Sequence, residues 1–411
     1  MTPAARLQMA IEILEVLETS AQPTDRFLKG WFRTRRFAGS KDRRAIAERV
    51  FSVQRSRARL AHRMGIATPR ARVIASLLES GEDIAAIMTG GGYGPEPLSD
   101  AERAAIAATP PPAPAWVAGE YPQFLEDELV RAFGGRLPDE MAALQSRAPA
   151  DIRVNTLKSA RDHVIAALAA DGITAAPTPF APHGIRITGE AANLSKSALF
   201  ESGAFEFQDE AAQIASALCN ARPGMRVLDL AAGAGGKSLA FAAAMQNQGE
   251  IVACDVRGEA LFELEKRAAR AGATIIKTLP LDHGQPAGPF DAVFVDAPCT
   301  GTGTWRRQPE LRWRLTPERI DHLTSVQDRL LDQAADLVAP GGVLLYATCS
   351  ILPAENQDRV TAFLGRQPGF TPLNLAENWA GALPPGLAAD FRASPFLTGT
   401  DGFFCAGLRR A

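Results

Sequence analysis

Residues 226–238 read RVLDLAAGAGGKS, a short apolar run that gives way to Ala231, Ala232, Gly233, Ala234, Gly235, Gly236, Lys237 and Ser238. A run of this length ending at a glycine-rich turn predicts a strand buried on both faces, with the turn opening the next helix. Glycines at such a place let the backbone approach a ligand closely. The turn is not G-x-G-x-x-G, because Ser238 stands at the last glycine position. A phosphate-cradling loop ending in GKS would need glycine at Ala231, so nucleotide hydrolysis is set aside.

Further short apolar runs follow at 251–255 (IVACD), 274–279, 292–296 (AVFVD) and 343–347 (VLLYA), with helical stretches between them. That alternation predicts an α/β fold with an open, mostly parallel, doubly wound sheet. Upstream, Ile152-Arg153-Val154 and Ile185-Arg186-Ile187 alternate like strands around a helical stretch at 160–170, which predicts a small α/β unit. The first 90 or so residues read as helices, one over 4–17 and one over 42–64. In the second, Ile46, Val50, Val53 and Leu60 share one face and Arg44, Arg55 and Arg59 the other, with Ser40-Lys41-Asp42 as its start. The run Thr109-Pro110-Pro111-Pro112-Ala113-Pro114 is either an interdomain linker or a strap within the helical domain. Short helices are expected over 116–133. The expected division is 1–142, 143–205 and 206–411.

The chain has 411 residues, 46% hydrophobic and 22% charged, long enough for a substantial core and typical of a soluble globular protein. No run approaches the ~18 apolar residues of a membrane span, and no signal peptide is read, so a cytoplasmic protein is expected. The five cysteines are widely spread with no C-x-x-C pair, and the five histidines form no metal pattern, so no metal is expected. The net charge of −2 hides an asymmetry: residues 26–72 carry 15 Lys/Arg and two acids, or +13, leaving −15 elsewhere. A basic segment on an acidic body suggests a polyanion partner, weighed against an ordinary solvated helix face.

Ligands of such sheets bind beyond the carboxyl ends of the strands. Asp255 follows the second strand, placed to accept from both hydroxyls of a ribose, and Asp282 follows the third, placed for an adenine. With the glycine turn they suggest an adenosine-containing cofactor, in the pattern of a class I S-adenosylmethionine methyltransferase. The fourth strand leads into Asp296-Ala297-Pro298-Cys299, and the fifth into Thr348-Cys349-Ser350. Two thiols and a carboxylate at adjacent strand ends suit covalent methylation of a pyrimidine at C5: a thiolate adds to C6, and an acid near N3 stabilises the adduct. Lys237 is placed to support the adduct or a thiolate. The target base must leave its stack, so a single-stranded or remodelled region is expected. Spacing alone leaves open which thiol attacks.

DAPCTGTGTWRRQPELRW, YATCSILPAENQ, FQDEAAQ and DLAAGAGGKS, with TDGFF at 400–404, resemble the motifs of the Nol/Nop/Sun family of S-adenosylmethionine-dependent RNA cytosine-5 methyltransferases. The likeness covers roughly residues 151–411. More loosely, the amino-terminal part is similar to the NusB-like RNA-binding domain of the Sun, or RsmB, branch, whose members act on small-subunit ribosomal RNA. The unit at 151–189 looks like the family's RRM-like insert. The resemblance implies Cys349 as nucleophile, Cys299 as the thiol that assists product release, Asp296 as the acid contacting cytosine, and Lys237 as the motif lysine. It implies a cofactor site of Ala232, Gly233, Ala234, Gly235, Gly236, Lys237, Asp255, Asp282 and Asp296. The chain departs from the family pattern at Gly233 and Ala234, and at Ala260, where arginine is usual and which Arg257 is placed to replace.

RNA is thus the expected partner, ribosomal before transfer RNA, with the protein a monomer. Arg33, Arg35, Arg36, Arg55 and Arg59 are expected to grip phosphates. Arg306 and Arg307, with Arg312, Arg314, Trp305 and Trp313 beside them, are expected to hold the strand or stack a base, weighed evenly against plain packing. The competing reading is a non-catalytic RNA-binding or ribosome-assembly factor, against which stand the intact Cys349, Asp296 and glycine turn.

Overall fold

The computed structural model describes residues 1–189 and 194–411. They form two compact units, one of residues 1–146 with 305–315, the other of residues 147–304 with 316–411.

The larger unit holds two sheets. The small one is built from β1 (Ala150–Val154), β2 (Ala175–Pro177), β3 (Gly184–Ile187) and β4 (Phe205–Phe207) in the order β2-β3-β1-β4, all antiparallel. Helix Arg161–Ala170 packs Val164 and Leu168 against Ile152, Ile185 and Phe205. The large sheet comprises β5 (Arg226–Leu230), β6 (Glu250–Asp255), β7 (Ile276–Pro280), β8 (Phe290–Asp296), β9 (Val338–Thr348), β10 (Phe370–Leu373), β11 (Asp390–Ala393) and β12 (Phe403–Arg410). Its order is β10-β12-β9-β8-β5-β6-β7, with β11 also on β12. The five strands from β9 to β7 are parallel, and β12 enters antiparallel between β9 and β10. This is the expected class I methyltransferase sheet.

Alternate residues of each central strand enter different cores. Val227 and Phe294 join the layer of Ile214, Phe241 and Phe391, while Leu228, Val293 and Val295 join that of Leu331, Tyr346 and Phe363. Burial on both faces explains the unbroken apolar texture of these runs. Strand order reverses between β5 and β8, the switch point where open sheets leave a crevice.

The smaller unit is helical. Its first five helices are α1 (Pro3–Leu17), α2 (Thr24–Thr34), α3 (Ser40–Arg55), α4 (Arg57–Met64) and α5 (Pro69–Ser80), around a core of Ile11, Leu14, Phe32, Ile46, Val50, Leu60 and Ile74. The single helix expected over 42–64 is broken at Ser56 (φ −113°, ψ 28°). The break is stabilised from afar: the buried Glu120 carboxylate accepts from the amides of Ala58 (2.8 Å) and Arg59 (2.9 Å), capping α4. Gly39 rather than Ser40 caps α3, its amide donating to Asp42. The proline run is a strap within this unit: Pro111 O lies 2.9 Å from His62 Nε2, and Arg63 donates to the carbonyls of Ala105, Ile106 and Ala108.

Residues 305–315, which follow the Cys299 motif in sequence, belong to the helical unit. Glu310 accepts from Thr24 N (2.9 Å), capping α2, and the buried Arg312 donates to Glu120 O (2.9 Å) with its guanidinium 5.1 Å from the Trp305 ring centre. Among the described residues no helix is long and apolar enough to cross a membrane. Nor do three or more His, Cys, Asp or Glu gather there as a metal site.

Candidate active site

The loops after β5, β6, β8 and β9 meet at the carboxyl edge of the large sheet. After β5, Ala231, Gly233 and Gly235 all have positive φ (68°, 57° and 74°). A Cβ on Gly235 would stand 1.9 Å from Leu264 Cδ1, so space and conformation both demand glycine. Helix Gly236–Ala244 begins at once, and Gly235 at its N-cap has no side chain to cap the first amides.

Asp255 ends β6 and is only 2% exposed. It accepts from Gly233 N (2.8 Å) and Arg257 N (2.8 Å), and Arg257 Nε and Nη2 lie at 3.0 and 3.1 Å. Burial works against its ionised form, but the hydrogen bonds from Arg257 and Gly233 hold its pKa below the usual carboxylate range. A buried carboxylate tied to the glycine turn fits the ribose of an adenosyl cofactor. The Arg257 side chain that pairs with it is 68% exposed. Asp282 differs: its side chain is 69% exposed in the turn after β7, and it pairs with His283 at 3.8 Å.

Lys237, 9% exposed, crosses from the first helical turn to Asp296 Oδ2 at the end of β8, 2.5 Å away. Burial disfavours the ammonium, but the Asp296 charge and hydrogen bond, with help from Asp229 and Cys349, raise its pKa overall. Beneath it, burial pushes the Asp229 carboxyl up to about 6, even though Ser238 Oγ donates to it at 2.5 Å.

Beside this pair, Cys299 Sγ and Cys349 Sγ stand 3.4 Å apart. The hydrogen bond with Cys349, then burial, drive the Cys299 thiol well above its ordinary pKa, which keeps it protonated. Cys219, Cys254 and Cys405 are buried away from solvent, and burial lifts Cys254 to about 12.

The two cysteine loops are fastened to one another by residues to which the motif spacing assigns no role. The buried Glu355 accepts from Thr300 N (2.9 Å), Thr300 Oγ1 (2.5 Å) and Gln327 Nε2 (3.0 Å). Asn356 bridges Thr348 Oγ1 (2.5 Å) and Ser350 O (2.9 Å). Thr302 Oγ1 accepts from Ile351 N (2.9 Å). Gly303 N donates to Cys349 O (2.9 Å), and Gly402 N to Gly303 O (2.9 Å). A Cβ on Gly303 would fall 2.1 Å from Gly402 O, and one on Gly402, the glycine of TDGFF, 2.6 Å from Gly303 Cα, so neither position admits a side chain. Their only signal in the sequence is the remainder of the motifs, PAENQ and CTGTG.

The expected phosphate-gripping residues all belong to the helical unit. Arg33 and Arg36 are exposed on and just after α2, and Arg35 lies over the Trp31 ring at 3.6 Å. Arg55 is half-buried at the end of α3. Arg59 pairs with Glu79 at 2.6 Å. Arg306 departs from expectation: it is only 4% exposed, and Trp305 beside it is buried, so packing accounts for both. Arg307 is exposed.

Residues 216–409 match the family model described as 16S rRNA methyltransferase RsmB/F, and residues 121–192 match its ferredoxin-like domain. A probable ribosomal RNA small subunit methyltransferase B from Synechocystis is 32% identical, with 71% of this chain and 67% of that protein aligned. The ribosomal RNA small subunit methyltransferase B of Pseudomonas syringae pv. tomato is 32% identical, over 70% of this chain and 65% of that protein. The chain thus spans about two thirds of the length of these relatives. Among solved structures, that of PH0851 superposes with a TM-score of 0.78 at 27% identity, covering 100% of this chain and 99% of that one. NSun6 from Pyrococcus horikoshii with SFG has the same fold (TM-score 0.62, 21% identity, 70% and 98% covered). With its crevice, paired thiols and glycine turn set on a sheet that these relatives share, the chain belongs to the RsmB/F family of 16S rRNA methyltransferases.

Proposed function

We propose that the protein transfers a methyl group from S-adenosylmethionine to C5 of a cytosine in small-subunit ribosomal RNA. The observation that carries this reading is the 3.4 Å approach of Cys299 and Cys349 beside the Lys237–Asp296 pair, at the switch point of the sheet. The names of the relatives support a ribosomal RNA substrate.

The cofactor's contribution is an electrophilic sulfonium methyl group. Gly233, Gly235, Gly236 and Asp255 would hold its adenosyl part, with Ala232, Ala234 and Asp282 lining the same edge. Cys349 adds as thiolate to C6 of the base, forming an S–C6 bond and making C5 nucleophilic. Asp296, held by Lys237, contacts the N3 edge of the base, and the Lys237 ammonium offsets the negative charge of the adduct. C5 would then take the methyl group, the sulfonium S–CH3 bond breaking to leave a neutral thioether. A base then takes the C5 proton, with Cys299 assisting; the C5–H electron pair restores the C5–C6 double bond, the S–C6 bond breaks, and Cys349 leaves as thiolate. We assign residues 1–142 as the RNA-gripping helical domain, 143–205 as the insert and 206–411 as the catalytic domain, acting as a cytoplasmic monomer.

The test is methyl transfer from labelled S-adenosylmethionine to RNA from a strain lacking the protein, with nucleoside analysis and bisulfite mapping. Label in 5-methylcytidine at one ribosomal site is the expected result. Label in transfer RNA would overturn the substrate. No label on free RNA or on immature small subunits would favour a non-catalytic assembly factor.

A further inference from the structure

The small antiparallel sheet reaches the glycine turn through two arginines. Arg153, on β1, is buried, and its Nη1 donates to Gly236 O at 2.7 Å and to Gln208 Oε1. Arg267, on helix Gly258–Ala271, donates from Nη1 to Ala234 O at 2.5 Å. Its Nε and Nη2 bind Glu206 Oε2 at 3.2 and 3.0 Å, and Arg270 takes the other oxygen of the same carboxylate. Glu206 is on β4 and 3% exposed. Two carbonyls of the turn, one on each side of Gly235, are therefore gripped by guanidinium groups whose countercharge and acceptors come from β4 and the residue following it.

A buried cation is costly unless its donors are met. Burial lowers the Arg153 pKa to about 10, which still leaves it charged at neutral pH. Each arginine spends that charge on a carbonyl of a turn in which Ala231, Gly233 and Gly235 have positive φ. Gln208, in the FQDEAAQ stretch, is the link. It accepts from Arg153, its amide donates to Asp151 O (3.2 Å), and its Nε2 sits 3.8 Å from where a Gly236 Cβ would be. The next residue, Asp209, accepts from Asp401 N at 3.2 Å, tying the same stretch to the TDGFF loop.

We propose that Arg153 and Arg267 are positioning residues for the cofactor, and that the small sheet clamps the glycine turn into its ligand-receiving shape in addition to any role toward RNA. The proposal rests on the methyltransferase reading above. It makes the insert a structural part of the cofactor site, acting through the backbone of the turn rather than by touching the ligand.

The experiment measures S-adenosylmethionine affinity by calorimetry, and steady-state kinetics on the mapped RNA, for the full chain and for Arg153→Met, Arg267→Met, Arg267→Lys and Glu206→Gln. Losing one charge-assisted bond to the turn is expected to raise Kd and the KM for S-adenosylmethionine about tenfold. The KM for RNA should hold and kcat at saturating cofactor should fall less than KM rises. Arg267→Lys should recover part of the loss, because an ammonium reaches one of the two acceptors. Arg267 is partly exposed, so its variants test the idea if Arg153→Met fails to fold. Unchanged cofactor affinity in folded Arg267→Met and Glu206→Gln, or a lowered melting temperature with no change in KM, would overturn the clamp. Failure of the parent protein to bind S-adenosylmethionine would instead overturn the methyltransferase reading itself.

Discussion

Charges in the two units are spent in opposite ways. At the sheet edge, Lys237 and Asp296 pair with each other inside a crevice, next to two thiols that neither neutralises. In the helical unit, the basic run is met by acids drawn from elsewhere: Arg49 by Glu82, Arg57 and Arg72 by Glu18, Arg59 by Glu79 and Arg70 by Glu102. A segment charge of +13 is therefore not a surface potential of that size. The lesson is that a local surplus counts as a binding surface only after the partners brought in by folding are subtracted. Arg33 and Arg36 are among the basic residues that stay exposed, next to Arg35, which lies over the Trp31 ring. The paired arginines still have a route to phosphate, since exposed ion pairs hold by about 1 kcal/mol or less.

The sharpest way to break this contrast is at the sulfur pair. Cys349→Ala should abolish methyl transfer while leaving cofactor binding within about twofold, because the sulfur acts on the base and not on the cofactor. Residual full activity would remove the covalent route. Cys299→Ala should still attack but release slowly, giving a protein–RNA adduct that survives a denaturing gel. An adduct trapped by Cys349→Ala instead would exchange the two roles.

A smaller effect is expected from Glu120. Burial raises its pKa to about 7, against the pull of the Arg59 and Ala58 amides and of Arg312. The folded state thus holds this proton more tightly than the unfolded chain does, so stability falls as pH rises from about 4.5 to about 7 and is flat above that. Glu120→Gln should remove that slope, which amounts to at most about 3 kcal/mol across the window. Urea unfolding at several pH values measures it, and an unaltered slope would refute the assignment. Smaller again, Arg33→Ala with Arg36→Ala should weaken RNA binding about tenfold and flatten its salt dependence, by up to about 0.7–0.9 in log–log slope for each phosphate no longer neutralised. Arg59→Ala alone should change affinity by less than about twofold. If the Arg59 variant proves the weaker binder, the phosphate surface runs along α4 and not α2.

The contrast also explains what could be read in advance. The large sheet was legible because each central strand is buried on both faces and announces itself as an apolar run ending in Asp229-Leu230, Asp255 or Asp296. The site was legible because Lys237, Asp296, Cys299 and Cys349 sit at or within a few residues of those ends. The break at Ser56 was not, because its cap, Glu120, comes from 62 residues beyond Ala58. Nor was the fate of Trp305, Arg306 and Arg312. Their composition matches an RNA-stacking strip, and only long-range packing within the helical unit reveals Arg312 as a buried donor to Glu120 O and Trp305 as core. Glu355 and Asn356 were visible as motif letters but not as the fasteners of the cysteine loops, since a hydrogen-bond partner is not encoded in spacing.

The most direct test of covalent catalysis by Cys349 is the mass of the Cys299→Ala protein after incubation with the mapped RNA and S-adenosylmethionine, set against the Cys299→Ala, Cys349→Ala double variant. A covalent protein–RNA species is predicted in the first and should be absent from the second. An adduct that persists without Cys349, or none in either protein while the parent methylates the same RNA, would contradict that mechanism.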